Sequence, residues 1–132
     1  MIVYTHERSI TVEQLACVFD RSGIHRPTND LARLQEMLDN ADVLWTAWEG
    51  ECLVGVARAL TDFSYACYLS DLAVDKDYQR QGIGSGLVDR LRRQLGSDVS
   101  LVLLAAQSAM EYYPKLGFNH IDNAFLIARQ PF

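Results

Sequence analysis

Asp77-Tyr-Gln-Arg-Gln-Gly-Ile-Gly-Ser-Gly86 places three glycines at alternating positions, directly after the strand-like run Tyr68-Leu-Ser-Asp-Leu-Ala-Val74. Beyond it, Ile83, Leu87, Val88, Leu91 and Leu95 recur on one helical face, so the glycines fall where a strand turns into a helix. The first N–H groups of a helix have no intrahelical partner, and the helix dipole adds partial positive charge there. Such a turn can hold an anion, and Arg80 adds a formal charge beside it. Gly82 and Gly84 also lack the Cβ atoms that would keep a pyrophosphate off the backbone. The same glycines equally suit a tight turn with close helix–sheet packing, and Gly86 reads as packing. Spacing alone leaves both readings open.

Two nucleotide fingerprints fail on this turn. A dinucleotide-binding G-x-G-x-x-G needs its third glycine one residue later, and the next strand, ending Leu103-Leu-Ala-Ala106, offers no acidic ribose partner. A triphosphate-binding loop needs Gly-Lys-Ser/Thr, which the chain lacks.

Taken together, Leu72-Ala-Val74 and Gln79-Arg-Gln-Gly-Ile-Gly84 resemble the acyl-coenzyme A motif of the GNAT N-acetyltransferase superfamily, Q/R-x-x-G-x-G/A. Tyr112-Tyr-Pro-Lys-Leu-Gly-Phe118 resembles that family's F-Y-x-K-x-G-F segment. The resemblance implies one GNAT-like domain over residues 1–132. Its fold would be mixed α/β: a central, mostly antiparallel sheet with a splayed parallel strand pair and helices on both faces. It implies acetyl-coenzyme A as donor, no metal, and an amine of a small molecule or peptide as acceptor. The backbone of Leu72, Ala73 and Val74 would hold the pantetheine arm. The turn of Gln79, Arg80, Gln81, Gly82, Ile83, Gly84 and Ser85 would hold the pyrophosphate, chiefly through main-chain amides. Ala105 and Ala106 would leave room for the pantetheine arm in the gap between the splayed strands, although two alanines equally suit a packed strand.

Acetyl transfer needs a neutral amine, a polarised thioester and a proton for the departing thiolate. A tyrosine (pKa about 10) stays protonated where a thiol (about 8.5) begins to ionise, so its hydroxyl can supply that proton. Tyr113 matches the family position with this role, against the plainer reading of an amphipathic core tyrosine. Tyr112 reads as packing. Pro114 removes an N–H and crowds the Met110 carbonyl, so the short helix expected over Ser108–Lys115 should be distorted or end there. For a base, Asp71 is the candidate, although a solvated or cross-strand partner is the alternative; His25 and His120 titrate in the useful range, and an ordered water could suffice. Acceptor contacts are expected from Arg21–Asp30 and Asn119–Asn123, with His25, Arg26 and Tyr65 as candidates.

The elements that must position these residues follow from periodicity and caps. Ile2–Tyr4 reads as a strand, and Thr11-Val-Glu-Gln14 as a capping box opening a helix that Gly23 ends. A second helix carries Leu31, Leu34, Met37 and Leu38, with Thr28 or Asn29 as cap. Val43–Trp48 and Cys52–Ala57 flank a hairpin turn, and Ala66–Val74 is a further strand. Val99–Ala106 is nearly all apolar, the pattern of a strand buried on both faces. Phe118–His120 and Phe125–Arg129 are expected as the last strands, and the latter could pair across a homodimer.

Composition narrows the classes further. The charge of −5 argues against a nucleic-acid binder. The longest apolar run, Leu101–Ala106, is too short to cross a bilayer, so no membrane partner is expected. Three cysteines without CxxC spacing fit a reduced, cytoplasmic setting and supply no nucleophile motif. The competing functional class is a non-catalytic acyl-coenzyme A-binding sensor or interaction module that keeps the same turn.

Overall fold

The N-terminal half is built from caps and alternation as the sequence predicts. The computed structural model describes all 132 residues. Strand β1 covers Ile2–Thr5 and helix α1 covers Val12–Ser22. The Thr11 hydroxyl accepts the Gln14 N–H while Gln14 Oε1 accepts the Thr11 N–H, closing the capping box. Gly23 ends the helix at φ +84°, a left-handed conformation that favours glycine. Helix α2 covers Leu31–Asp39, and its cap is Asp30 rather than Thr28 or Asn29. The Asp30 carboxylate accepts the Arg33 N–H, whereas the Thr28 hydroxyl is drawn to Asp20 Oδ1 at 2.6 Å.

Strands β2 (Val43–Glu49), β3 (Cys52–Thr61) and β4 (Ala66–Val74) form an antiparallel meander. Helix α3 (Ile83–Leu95) then crosses over to β5 (Ser100–Val102), which lies parallel to β4. The sheet order is β1-β2-β3-β4-β5. On one face, Leu15, Val18, Phe19 and Leu34 of α1 and α2 pack on Val56 and Ala73. On the other, Ile83, Leu87, Val88 and Leu91 of α3 pack on Ala57, Ala59, Cys67 and Leu69. Gly55, Ala57 and Ala59 keep β3 low beneath α3; a Cβ at Gly55 would press on Ile83 and Leu87 at 3.2 Å. This is the mixed sheet with helices on both faces that the sequence implies.

A bulge governs what the sheet can do. Asp71 pairs with Arg58 and Leu69 with Ala59, leaving Ser70 as the extra residue of β4. Bulges bend and re-aim a strand. β4 and β5 stay paired only from Ala66/Ser100 to Tyr68/Val102, and β4 runs on to Val74 without that partner. The parallel pair is therefore open from the bulge onward.

The C-terminal third departs from the sequence expectations. β5 is three residues long rather than eight, and Val102 and Leu104 face solvent instead of lying in a doubly buried strand. The apolar run satisfies strand propensity, but its neighbour bends away and ends the ladder. The helix expected over Ser108–Lys115 is replaced by two 3-10 turns, Gln107–Ala109 and Tyr113–Leu116. Pro114 has no N–H to give Met110, and the turns close by i→i+3 bonds such as Lys115 N–H to the Tyr112 carbonyl. No strand forms over Phe118–His120 or Phe125–Arg129. Strands need a partner ladder, and none faces this segment, so Phe125 and Ile127 lie fully exposed. The chain end instead stacks Phe132 on His25, with ring centroids 4.4 Å apart.

Candidate active site

The turn after β4 is a cradle made of main chain. Arg80 and Gly82 both have positive φ, +65° and +81°. For arginine this conformation costs roughly 1 kcal/mol, which the surrounding structure must offset. Alternation of this kind turns successive N–H groups toward one side, the arrangement of an anion-binding nest. Gly82 then caps α3 without any side-chain bond, so the N–H groups of Ile83, Gly84 and Ser85 have no intrahelical acceptor. The Ile83 side chain is buried in the core, and only its amide faces the turn's chemistry.

The side chains around the turn hold it in place. Gln79 Nε2 donates to the Val74 carbonyl at 2.9 Å and to the Ser22 carbonyl at 3.3 Å, tying the turn to the ends of β4 and α1. Gln79 thus acts on the loop's shape. Arg21 donates to buried Asp75 through Nε at 2.5 Å and to Asp77 through Nη2 at 2.6 Å. The Arg21 hydrogen bond holds the Asp75 carboxyl below its ordinary range, and the Asp77 N–H adds to this against the cost of burial. Arg80 is exposed and makes no hydrogen bond or ion pair, so its charge is available.

Leu72, Val74, Arg80, Gly82, Gly84, Ser85, Tyr112 and Tyr113 share a groove of about 560 Å³ along the open edge of β4. Gly84 and Gly86, in the first turn of α3, are packed against tyrosines. The Tyr112 hydroxyl fills the space where a Gly84 side chain would lie, and the Tyr4 ring does the same at Gly86. Tyr112, read from the sequence as packing, therefore reaches the cradle itself. Tyr113 is half-buried, edge-on to Tyr112 and to Phe118, and lines both this groove and a larger cleft beside β5. Desolvation pushes its hydroxyl pKa up, with Tyr112 adding to the rise and the Arg26 charge opposing it. A raised pKa keeps the proton on the oxygen at neutral pH, the state a general acid requires.

Asp71 is a cross-strand partner, with a fully buried side chain and both oxygens engaged. Arg58 Nε donates to Oδ2, and Arg26 Nε donates to Oδ1 at 2.5 Å. With both oxygens held by guanidinium donors, this carboxylate has no oxygen free to take a proton from an amine. His25 is exposed and stacked on Phe132, while its carbonyl accepts Arg26 Nη1. Tyr65 does not join the site: it is 78% exposed at the β3–β4 turn, at the opposite end of β4 from the cradle. Arg58 belongs to no motif, and its signal in the sequence is a lone arginine within Cys52-Leu-Val-Gly-Val-Ala-Arg-Ala-Leu60. A charge inside a buried strand requires a partner.

The main-chain cradle thus lies beside an opened parallel strand pair. The chain belongs to the GNAT acetyltransferase family, whose domain model matches residues 16–128. It is 29% identical over 130 residues to the histone acetyltransferase TAP1 of Glycine max, covering 89% of this chain and 55% of that protein. The chain spans about half the length of the curated relatives it matches first. A probable acetyltransferase of Staphylococcus aureus has the same fold over 100% of both chains, with a TM-score of 0.84 at 23% identity. AAC(6')-Iy, solved with a CoA-S-monomethyl-acetylneamine bisubstrate analogue, shares the fold over 99% of both chains (TM-score 0.72, 15% identity).

Proposed function

We propose that the chain transfers an acetyl group from acetyl-coenzyme A to a primary amine, with Tyr113 as general acid. The carrying observation is one groove that joins the unpaired amides of residues 83–85, the open edge of β4 and the Tyr113 ring. The parts suit coenzyme A: amides and Arg80 for pyrophosphate, and for an amide-bearing arm the β4 edge that β5 leaves unpaired beyond Tyr68. Of the Leu72–Val74 groups there, the Val74 carbonyl is already taken by Gln79.

Acetyl-coenzyme A brings the activated acetyl thioester; the rest is the work of the chain. The amine nitrogen bonds to the carbonyl carbon as the C–S bond breaks, Tyr113 gives its hydroxyl proton to the departing sulfur, and solvent returns a proton to Tyr113 before the next turnover. Both Asp71 oxygens are committed, so the amine gives its own proton to water. The test is coenzyme A release, read with a thiol reagent, across amino acids, polyamines, aminoglycosides and peptides with free N-termini. Release with at least one amine is expected; acetyl-coenzyme A binding without turnover of any would favour a sensor module instead.

A further inference from the structure

Two arginines share one carboxylate where the strands part. Arg58 is nearly buried, with 7% of its side chain exposed, and Asp71 fully so. Besides Asp71, Arg58 donates to Ser70 Oγ and the Met37 carbonyl, both neutral. Arg26 comes from the α1–α2 loop and donates to the carbonyls of bulged Ser70 (2.9 Å) and His25 (2.7 Å) as well as to Asp71. No other acid pairs with either arginine, so the cluster carries one uncompensated positive charge.

That charge faces outward at one point only. Arg58 is walled in, whereas the Arg26 side chain is 26% exposed. Of the five guanidinium N–H donors, three are bonded and one on each terminal nitrogen is free. The head is fixed from three directions, so little rotamer freedom is left to lose on binding. It sits at the Ser70 bulge, just past the last β4–β5 pair, and its field reaches the Tyr113 hydroxyl. A rigid planar fork with two free donors matches a carboxylate.

We infer that Arg26 is the specificity-determining residue of the acceptor side, and that the accepted amine carries a carboxylate which pairs with its two free N–H donors. The inference rests on the acetyl-transfer reading, and it disfavours polyamines and other purely cationic amines. Asp71 and Arg58 are positioning residues that hold the fork still.

The test uses common amino acids beside their carboxamides, which keep the amine and lose the anion, at a pH where both amines are neutral. The carboxylates should exceed the amides in kcat/KM by about 10- to 100-fold, the worth of charge-assisted hydrogen bonds. Arg26→Gln should erase that difference through the KM of the carboxylate acceptor, leave the KM of acetyl-coenzyme A unchanged, and be partly rescued by Arg26→Lys. Equal kcat/KM for acids and amides in the unaltered protein overturns the inference, whatever the variants do. Calorimetry adds a readout free of turnover: N-acetyl amino acids should bind the coenzyme A-saturated protein more tightly than N-acetyl amino amides. Equal or undetectable binding of both overturns the inference; selective binding without turnover upholds it and sinks the acetyl-transfer reading alone.

Discussion

Two parts of this protein are suited to anions, and they are built in opposite ways. The turn at residues 79–85 works with main-chain N–H groups, fixed by two positive φ values and a helix start. The cluster at Arg26 works with side chains from the α1–α2 loop, β3 and β4, the farthest pair 45 residues apart. The first depends on glycine and on backbone shape, so it tolerates most side-chain exchange. The second exists only while every member is present, because each charge is buried at the expense of hydration that only its partner replaces.

Removing Asp71 should break the contrast most severely. Asp71→Ala leaves two guanidiniums facing each other at the sheet, at a cost of about 3–5 kcal/mol. Denaturant unfolding checks this; a midpoint close to that of the unaltered protein would mean that the cluster is solvated. Next in size is Tyr113→Phe, which should lower kcat by about 100-fold, the lower range for a lost general acid. Steady-state kinetics should show the KM of acetyl-coenzyme A within about twofold, since nucleophile and donor contacts remain. The same assignment places the alkaline limb of kcat above the ordinary tyrosine range of about 10, because desolvation raises the Tyr113 pKa.

Gly82→Val attacks the cradle through its conformation. A β-branched residue at φ +81° should cost about 1–2 kcal/mol or flip the turn, raising the KM of acetyl-coenzyme A with little change in kcat. Asp75 links the cradle to α1, and its effect depends on pH. Its folded pKa is depressed, so its pairing with Arg21 stabilises the fold above the unfolded value of about 3.9 and is lost as pH falls through the folded value. The stability gap between the unaltered protein and Asp75→Asn should be constant from about pH 5 upward and close below about pH 4. A gap that persists unchanged under acid would rule the pairing out as its source. The smallest effect is expected from Gln81→Ala, whose side chain makes only a 3.5 Å contact with the Asp77 carbonyl. Its KM for acetyl-coenzyme A should move less than about threefold if the Gln81 amide, rather than its side chain, faces the donor.

The fold was legible where the information is local. The capping box at Thr11, the glycine stop at Gly23, the hairpin at Gly50 and the α3 stripe each depend on neighbours within a few residues. The C-terminal third misled because strand propensity is conditional on a partner. Leu101–Ala106 and Phe125–Arg129 have strand composition, yet the bulge ends one ladder and nothing pairs with the other. The site divides along the same line. The glycine turn and Tyr113 are legible as motifs and meet in one groove, whereas Tyr65 is legible by type alone and lies at the other end of β4.

By itself, the sequence determined the elements through α3 and a turn able to present amides, since caps, glycines and apolar periodicity act over one or two helical turns. Tertiary structure alone decided that Asp71 serves two arginines, that Tyr112 enters the space at Gly84, and that β4 and β5 part at Ser70. Those outcomes depend on which distant groups meet and on the charges they must neutralise there, and no short stretch of chain encodes them.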